Sequence, residues 1–162
     1  MMRYNTIRQM DIANGPGCRL AIFIQGCSFA CPGCFNTVAQ DFSGGKEFTE
    51  QTMDLLIELA KPDYLSGISV LGGEPLHPRN REAVLDLVKK FKSEYPNKTV
   101  WLWTGYLWED VASDVIGSGI DVLVDGRFVE ELKDLRLKFR GSSNQRIIDV
   151  NKSTLENIVL VD

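Results

Sequence analysis

Three cysteines, Cys27, Cys31 and Cys34, fall within eight residues, on a loop that directly follows the apolar run from Arg19 to Ile24. The run reads as a buried strand introduced by the turn-forming Asn14-Gly15-Pro16-Gly17. The loop leaving it must therefore carry thiols at C-x3-C-x2-C spacing, too close together to be buried independently. Such spacing suits one shared metal centre and is poor for a disulfide framework. Cys18 stands apart and reads as a small buried or partly buried thiol beside the strand. Iron–sulfur clusters and zinc both accept thiolates, and their purely structural or electron-transfer sites normally take four protein ligands. Only three are supplied locally. A [4Fe-4S] cluster on three cysteines leaves one iron open to another molecule, which points to catalysis. The alternatives are a zinc site completed by His77 or Cys18, and three unrelated free thiols. His77, between Leu76 and Pro78, reads more simply as a structural histidine.

The rest of the chain alternates strand and helix. Thr49 is placed to cap a helix in which Met53, Leu56, Ile57 and Ala60 recur at helical spacing, with Pro62 marking its end. Ile68 to Leu71 reads as a second strand, followed by a helix carrying Ala83, Val84, Leu87, Val88 and Phe91. Thr99 to Thr104 is β-branched and aromatic, a third strand in which Trp101 and Trp103 read as core, and Trp108, Val111, Ala112, Val115 and Ile116 mark another helix. Val122 to Val124 supplies a fourth strand. Beyond Asp125 the alternation weakens, and Arg140 to Asn144 reads as a polar loop before two short apolar runs.

Alternating strands and helices imply right-handed crossovers and a mainly parallel sheet covered by helices. Four such units are too few for a closed eight-stranded barrel of ~250 residues. The expected fold is therefore α/β, an open or partial (β/α) barrel built as one domain over residues 1–162. Sites in such sheets gather at the carboxyl ends of strands. The cysteine loop, Gly72-Gly73-Glu74-Pro75, Thr104-Gly105-Tyr106 and Asp125-Gly126-Arg127 all fall there.

A formal net charge of −4 gives no electrostatic basis for binding nucleic acid. No stretch reaches the ~18 consecutive apolar residues of a membrane span, and Met1 to Asn5 lacks the apolar stretch of a signal peptide. The expectation is a soluble cytoplasmic protein with no membrane or nucleic-acid partner.

The C-x3-C-x2-C loop after one strand, joined to Gly72-Gly73-Glu74-Pro75 after the next, resembles the radical S-adenosylmethionine (radical SAM) superfamily. The resemblance implies one [4Fe-4S] cluster per chain, held by Cys27, Cys31 and Cys34, with the methionine end of SAM chelating the open iron. It implies that Gly72, Gly73 and Glu74 set backbone groups against the SAM amino nitrogen, where glycine leaves room for the approach. One electron from the reduced cluster would then cleave SAM to methionine and a 5′-deoxyadenosyl radical, the cofactor doing the hard step. Many members carry an aromatic residue just before the third cysteine, whereas this chain has Gly33 there and Phe35 just after it. Gly33, Cys34 and Phe35 are the expected adenine contacts, with the stacking partner left open. Asp125 and Arg127 are expected to meet the SAM ribose or carboxylate.

A finer resemblance rests on Asn14 to Gly17, Pro32 to Cys34, Gly73 to Pro78, Trp101 to Tyr106, Val124 to Phe128 and Arg140 to Arg146. These segments are similar to the family of activating proteins of anaerobic, class III ribonucleoside-triphosphate reductases. The resemblance implies an enzyme that takes a hydrogen atom from a glycine near the C-terminus of the large reductase subunit and leaves a glycyl radical there. That subunit would be the protein substrate. The basic Arg136, Lys138, Arg140 and Arg146 are candidates for docking it or a flavodoxin-like or other low-potential reductant. Rival readings are an activator of another glycyl-radical enzyme, an iron–sulfur electron carrier without chemistry of its own, and a zinc-dependent interaction module.

Overall fold

The helical spacing seen in the sequence is realised in the computed structural model, which describes residues 1–161. Helix α1 spans Glu50–Leu59, α2 Arg81–Glu94 and α3 Trp108–Val115. Thr49 caps α1 as expected: its side chain accepts from the Thr52 amide, and the Thr52 side chain accepts from the Thr49 amide in return. Seven strands accompany them: β1 Arg3–Asp11, β2 Cys18–Ile24, β3 Lys46–Glu47, β4 Leu65–Gly72, β5 Thr99–Trp103, β6 Val122–Asp125 and β7 Arg146–Asp149.

The strands form one sheet in the order β3-β1-β2-β4-β5-β6-β7. The four central strands β2, β4, β5 and β6 are parallel. The flanking β1, β3 and β7 are antiparallel to their neighbours. The α/β class and the openness of the sheet agree with expectation, but the sheet is mixed, not mainly parallel, and it is not a closed or regular barrel. The cause lies in the connections. No α-helix lies between β1 and β2 or in the return from β6 to β7, which holds only a short 3-10 turn at Glu130–Leu132, and antiparallel neighbours need none. The sequence reading did not find β1 because Arg3-Tyr4-Asn5-Thr6-Ile7-Arg8-Gln9-Met10-Asp11 is polar.

Along β2, β4, β5 and β6 the spatial order follows the chain order, so right-handed crossovers bring all the helices to one face. Period-two alternation then divides the sheet's side chains. Leu20, Ile22, Ile24, Ile68, Val70, Val100, Leu102, Leu123 and Ile148 pack against Leu56, Leu87, Phe91, Trp108 and Val111 of the helices in the main core. On the opposite face Trp101, Val122 and Val124 form a second, smaller cluster with Trp103, Phe139 and Ile147. Both tryptophans are thus packed as expected, with Trp103 also donating its indole N–H to the Phe139 carbonyl at 2.7 Å.

Arg19 lies on this second face at the amino-terminal end of the parallel strands, fully buried and without a carboxylate partner among the described residues. It donates to Thr99 O (2.7 Å), Ile68 O (3.0 Å), Thr99 Oγ1 (2.9 Å) and Ser69 Oγ (2.9 Å). Burial lowers its pKa to about 10, so it remains a cation at neutral pH.

Candidate functional site

The carboxyl ends of the parallel strands open onto a cavity of ≈ 580 Å³ on the face away from the helices. Cys27, Cys31 and Cys34 all line it, together with Phe35, Gly72, Gly73, Glu74 and Arg127. The structure therefore gathers the cysteine loop, the glycine pair and the β6 loop around one space. Cys18 sits at the start of β2, six residues from its far end, about 20 Å down the strand from where the cysteine loop begins. His77 is outside the cavity wall; its Nδ1 accepts from the Arg79 amide at 3.1 Å and its ring lies 4.6 Å from that of Phe42.

The three thiols are free and half-buried. They share a wall and not yet a coordination sphere: among the described residues no three His, Cys, Asp or Glu side chains stand close enough to hold a metal ion. Burial, with the charges of Glu74 and Cys31 adding to it, pushes the Cys27 thiol up. A bound cation reverses that balance, because coordination deprotonates a thiol outright. Ala30, between the first two cysteines, has φ +49, a left-handed conformation uncommon for a residue with a Cβ. Such conformations concentrate at ligand-clamping turns.

The roots of the loop are fixed by backbone bonds. Gly26 N donates to Ala39 O (2.6 Å) and Cys27 N to Gln40 O (3.0 Å), while Gly73 N donates to Ile24 O (2.7 Å) and Glu74 N to Gly26 O (2.8 Å). A Cβ on Gly73 would stand 2.6 Å from both Ala39 O and Gly26 O. Glycine is needed here so that the two loops can touch, a reason separate from the approach of a ligand that the resemblance implies. Gly105 serves a similar purpose: a Cβ there would meet the Phe29 ring at 2.5 Å, so the ring of the cysteine loop rests on bare backbone. Phe29 also meets Tyr106 edge to face (4.9 Å) and lies 4.3 Å from the Arg127 guanidinium. Phe29 was not recognised from sequence, although its place between the first two cysteines was a signal.

Glu74 is buried and joins the ends of β4 and β5. Its carboxylate accepts from Thr104 Oγ1 (2.6 Å), Gly105 N (2.6 Å) and Leu76 N (2.9 Å). Burial nevertheless dominates and pushes its pKa up from 4.5 to about 7. The folded state thus holds this proton more tightly than the unfolded chain does. Its contribution is most favourable below pH 4.5 and declines as pH rises to about 7, by about 3 kcal/mol in the metal-free protein. Thermal unfolding between pH 4.5 and 7 is expected to show a flatter pH profile for Glu74→Gln than for the unaltered chain. Identical slopes would exclude Glu74 as the titrating group.

The remaining expected contacts divide. Phe35 packs on Phe128 (4.8 Å) at the cavity but is still 62% exposed, leaving a face open to a ligand. Gly33 is outside the cavity wall, with φ +73, and a Cβ there would lie 2.5 Å from Glu130 Oε2. Arg127 lines the cavity, and among the described residues it has no ion-pair partner. Asp125 does not line it. Its carboxylate accepts from Trp108 N (2.8 Å) at the start of α3 and from Arg146 Nη2 (2.5 Å), Nε (3.1 Å) and N (3.3 Å). Of the basic residues expected at a docking surface, Arg136 is paired with Asp134, and Arg146 with Asp125 and Glu109. Arg140 is held by the carbonyls of Ser143 and Gln145, and Lys138 is exposed.

Comparison with known proteins places the chain in a family. The 4Fe-4S single cluster domain family matches residues 13–148. The anaerobic ribonucleoside-triphosphate reductase-activating protein of Salmonella typhi is 43% identical over 148 residues, 89% of this chain and 96% of its own length. Those of Escherichia coli (strain K12) and Enterobacteria phage T4 are 42% and 39% identical, covering 89% and 90% of this chain and 96% and 93% of their own lengths. On that breadth of similarity the chain belongs to the family of anaerobic ribonucleoside-triphosphate reductase-activating proteins, and its body is a 4Fe-4S single-cluster domain.

Proposed function

We propose that this chain is a radical SAM activase that generates a glycyl radical on the large subunit of an anaerobic ribonucleoside-triphosphate reductase. The observation that carries the reading is the sharing of one cavity by Cys27, Cys31 and Cys34 with the Gly72–Glu74 strand end and Arg127. Three soft thiolates and no fourth suit a [4Fe-4S] cluster with one open iron. When bound, the cluster supplies the electron that splits the SAM sulfonium bond and so yields the carbon radical that takes a hydrogen atom from glycine.

The chain's own residues bind and orient. The amides of Gly73 and Glu74 and the Glu74 carbonyl are engaged within the chain, whereas the Gly73 carbonyl accepts no hydrogen bond among the described residues and is the one to offer a ligand. Carbonyls are what an ammonium group requires, since it can only donate. Arg127 suits the SAM carboxylate by its fork geometry. Phe35, with the backbone of Gly33 and Cys34, is our assignment for the adenine side. Asp125 holds the loop that carries Arg127 through its bonds to Arg146 and Trp108. The reductase surface would complete the open side of the cavity and exclude water there. The exposed Lys138 is a point of contact for a flavodoxin-like or other low-potential reductant.

The test is anaerobic incubation of the cluster-loaded protein with SAM, a reductant and the cognate reductase, followed by electron paramagnetic resonance. A glycyl-radical signal that requires all components is expected. SAM turnover without that signal would point to another substrate, and no SAM cleavage at all would leave the electron-carrier reading in its place.

A further inference from the structure

We propose that Asn80 is a positioning residue that fixes the cysteine loop against the Gly72–Glu74 strand end, an inference that builds on the function proposed above. Asn80 immediately precedes α2, where asparagine ordinarily caps a helix with its side-chain oxygen. Here it makes no such bond. Its side chain is turned inward, with the residue only 3% exposed, and its amide nitrogen donates to two backbone carbonyls: Gln25 O at 3.3 Å and Glu74 O at 3.1 Å. Gln25 stands two residues before Cys27, and Glu74 closes the glycine-pair segment. One NH2 group thus spans the two segments that carry the site's two motifs.

The chemistry of the bridge is specific to an amide. Two hydrogens on one nitrogen can serve two carbonyls from different segments; aspartate has none to give, serine has one and alanine has none. Gln25 O has no other donor among the described residues, while Glu74 O also accepts from His77 N (3.2 Å), so removing the Asn80 donor leaves the buried Gln25 carbonyl unpaired and loosens the hold on Glu74. Beside the pairing of Ile24 with Gly72, backbone bonds from Gly73 N to Ile24 O and from Glu74 N to Gly26 O also cross this seam. Asn80 itself is anchored by its amide on His77 O (2.7 Å), with its own carbonyl accepting from Val84 N (2.9 Å) in α2. The helix therefore acts as a rigid mount for the bridge. A ligand that reaches from a metal on Cys27 to the Gly73 carbonyl must span a fixed distance, and Asn80 sets that distance without touching the ligand.

The experiment compares the unaltered full chain with Asn80→Ala and Asn80→Ser. Hydrogen exchange is measured on the metal-free proteins, and iron content and the KM for SAM on the cluster-loaded ones. In Asn80→Ala the amides of Gly73 and Glu74 are expected to exchange at least ~10-fold faster while those of Val100 to Leu102 in β5 do not change. Iron per chain is expected to match the unaltered protein, with KM for SAM raised ~10-fold, the scale on which supporting residues act at metal sites. Asn80→Ser, retaining one donor, should fall between the two, and it carries the test if the alanine variant does not fold. Unchanged local exchange and KM would overturn the proposal. Exchange accelerated equally in β5 would also overturn it, by making Asn80 an ordinary core residue. If the unaltered protein fails to cleave SAM while the exchange effect stays local to Gly73 and Glu74, the bridge stands and the proposed function fails.

Discussion

Cys31→Ala is expected to reduce SAM cleavage to the level of a protein-free control, with Cys27→Ala and Cys34→Ala behaving alike, while Cys18→Ala retains nearly full activity. The contrast follows from position. Cys27, Cys31 and Cys34 line one cavity, whereas Cys18 lies at the opposite end of β2. With only three thiols on the loop, losing one leaves two ligands and no histidine in the cavity wall to replace it. Iron and sulfide analysis of anaerobically reconstituted protein, alongside release of methionine from SAM, measures both halves of the prediction. Retained cleavage in Cys31→Ala would remove the assignment of the cluster to this loop. Loss of cleavage in Cys18→Ala, with iron absent, would bring that residue into the site.

Asp125→Ala carries the largest expected effect on stability. The carboxylate is fully buried, accepts three hydrogen bonds from Arg146 and holds the first amide of α3. Removing one partner of a buried ion pair costs about 3–5 kcal/mol because the other is left uncompensated. Arg146 retains 31% side-chain exposure and keeps Glu109, which places the loss at the lower end, about 3 kcal/mol. For a chain of this size that corresponds to a fall in melting temperature of roughly 10 °C. Circular dichroism on metal-free protein reads it directly. A change below about 1 kcal/mol would show that the pair contributes little. A melting temperature near that of the unaltered protein, combined with a raised KM for SAM, would restore the ribose contact suggested by the sequence.

The parts of this molecule that were legible in the sequence are those governed by short-range periodicity. The three helices and the four parallel strands announce themselves through apolar spacing, and the cysteine loop through its thiols. What escaped is governed by partners distant in the chain. β1 is polar, and it is a strand because β2 lies beside it. Asp125 follows an apolar strand and precedes Gly126-Arg127, which made a ligand contact the natural reading; only the fold brings Arg146 to it across 21 positions. Gly73 and Gly105 were visible as glycines, but what they make room for, Gly26 with Ala39 and the Phe29 ring, belongs to other segments. Asn80 stands where asparagine ordinarily caps a helix, and its inward rotation has no sequence signature.

The anchoring of the cysteine loop at its roots also divides the loop into a fixed part and a looser one. Gly26 and Cys27 are bonded to the Ala39–Gln40 segment, and Gly73 and Glu74 to Ile24 and Gly26, all through main-chain groups that need no metal. The tip is different: Ser28, Ala30, Pro32 and Gly33 are exposed, and the Cys34 amide bonds only back to Cys31 within the same turn. The sheet and the seam beneath the loop are thus held by the chain alone, as is Phe29 on Gly105 and Tyr106, and the turn from Ala30 to Gly33 is the stretch least fixed by its own contacts. Iron and sulfide would then have only this short turn to draw in, against a scaffold whose own main-chain bonds need no metal.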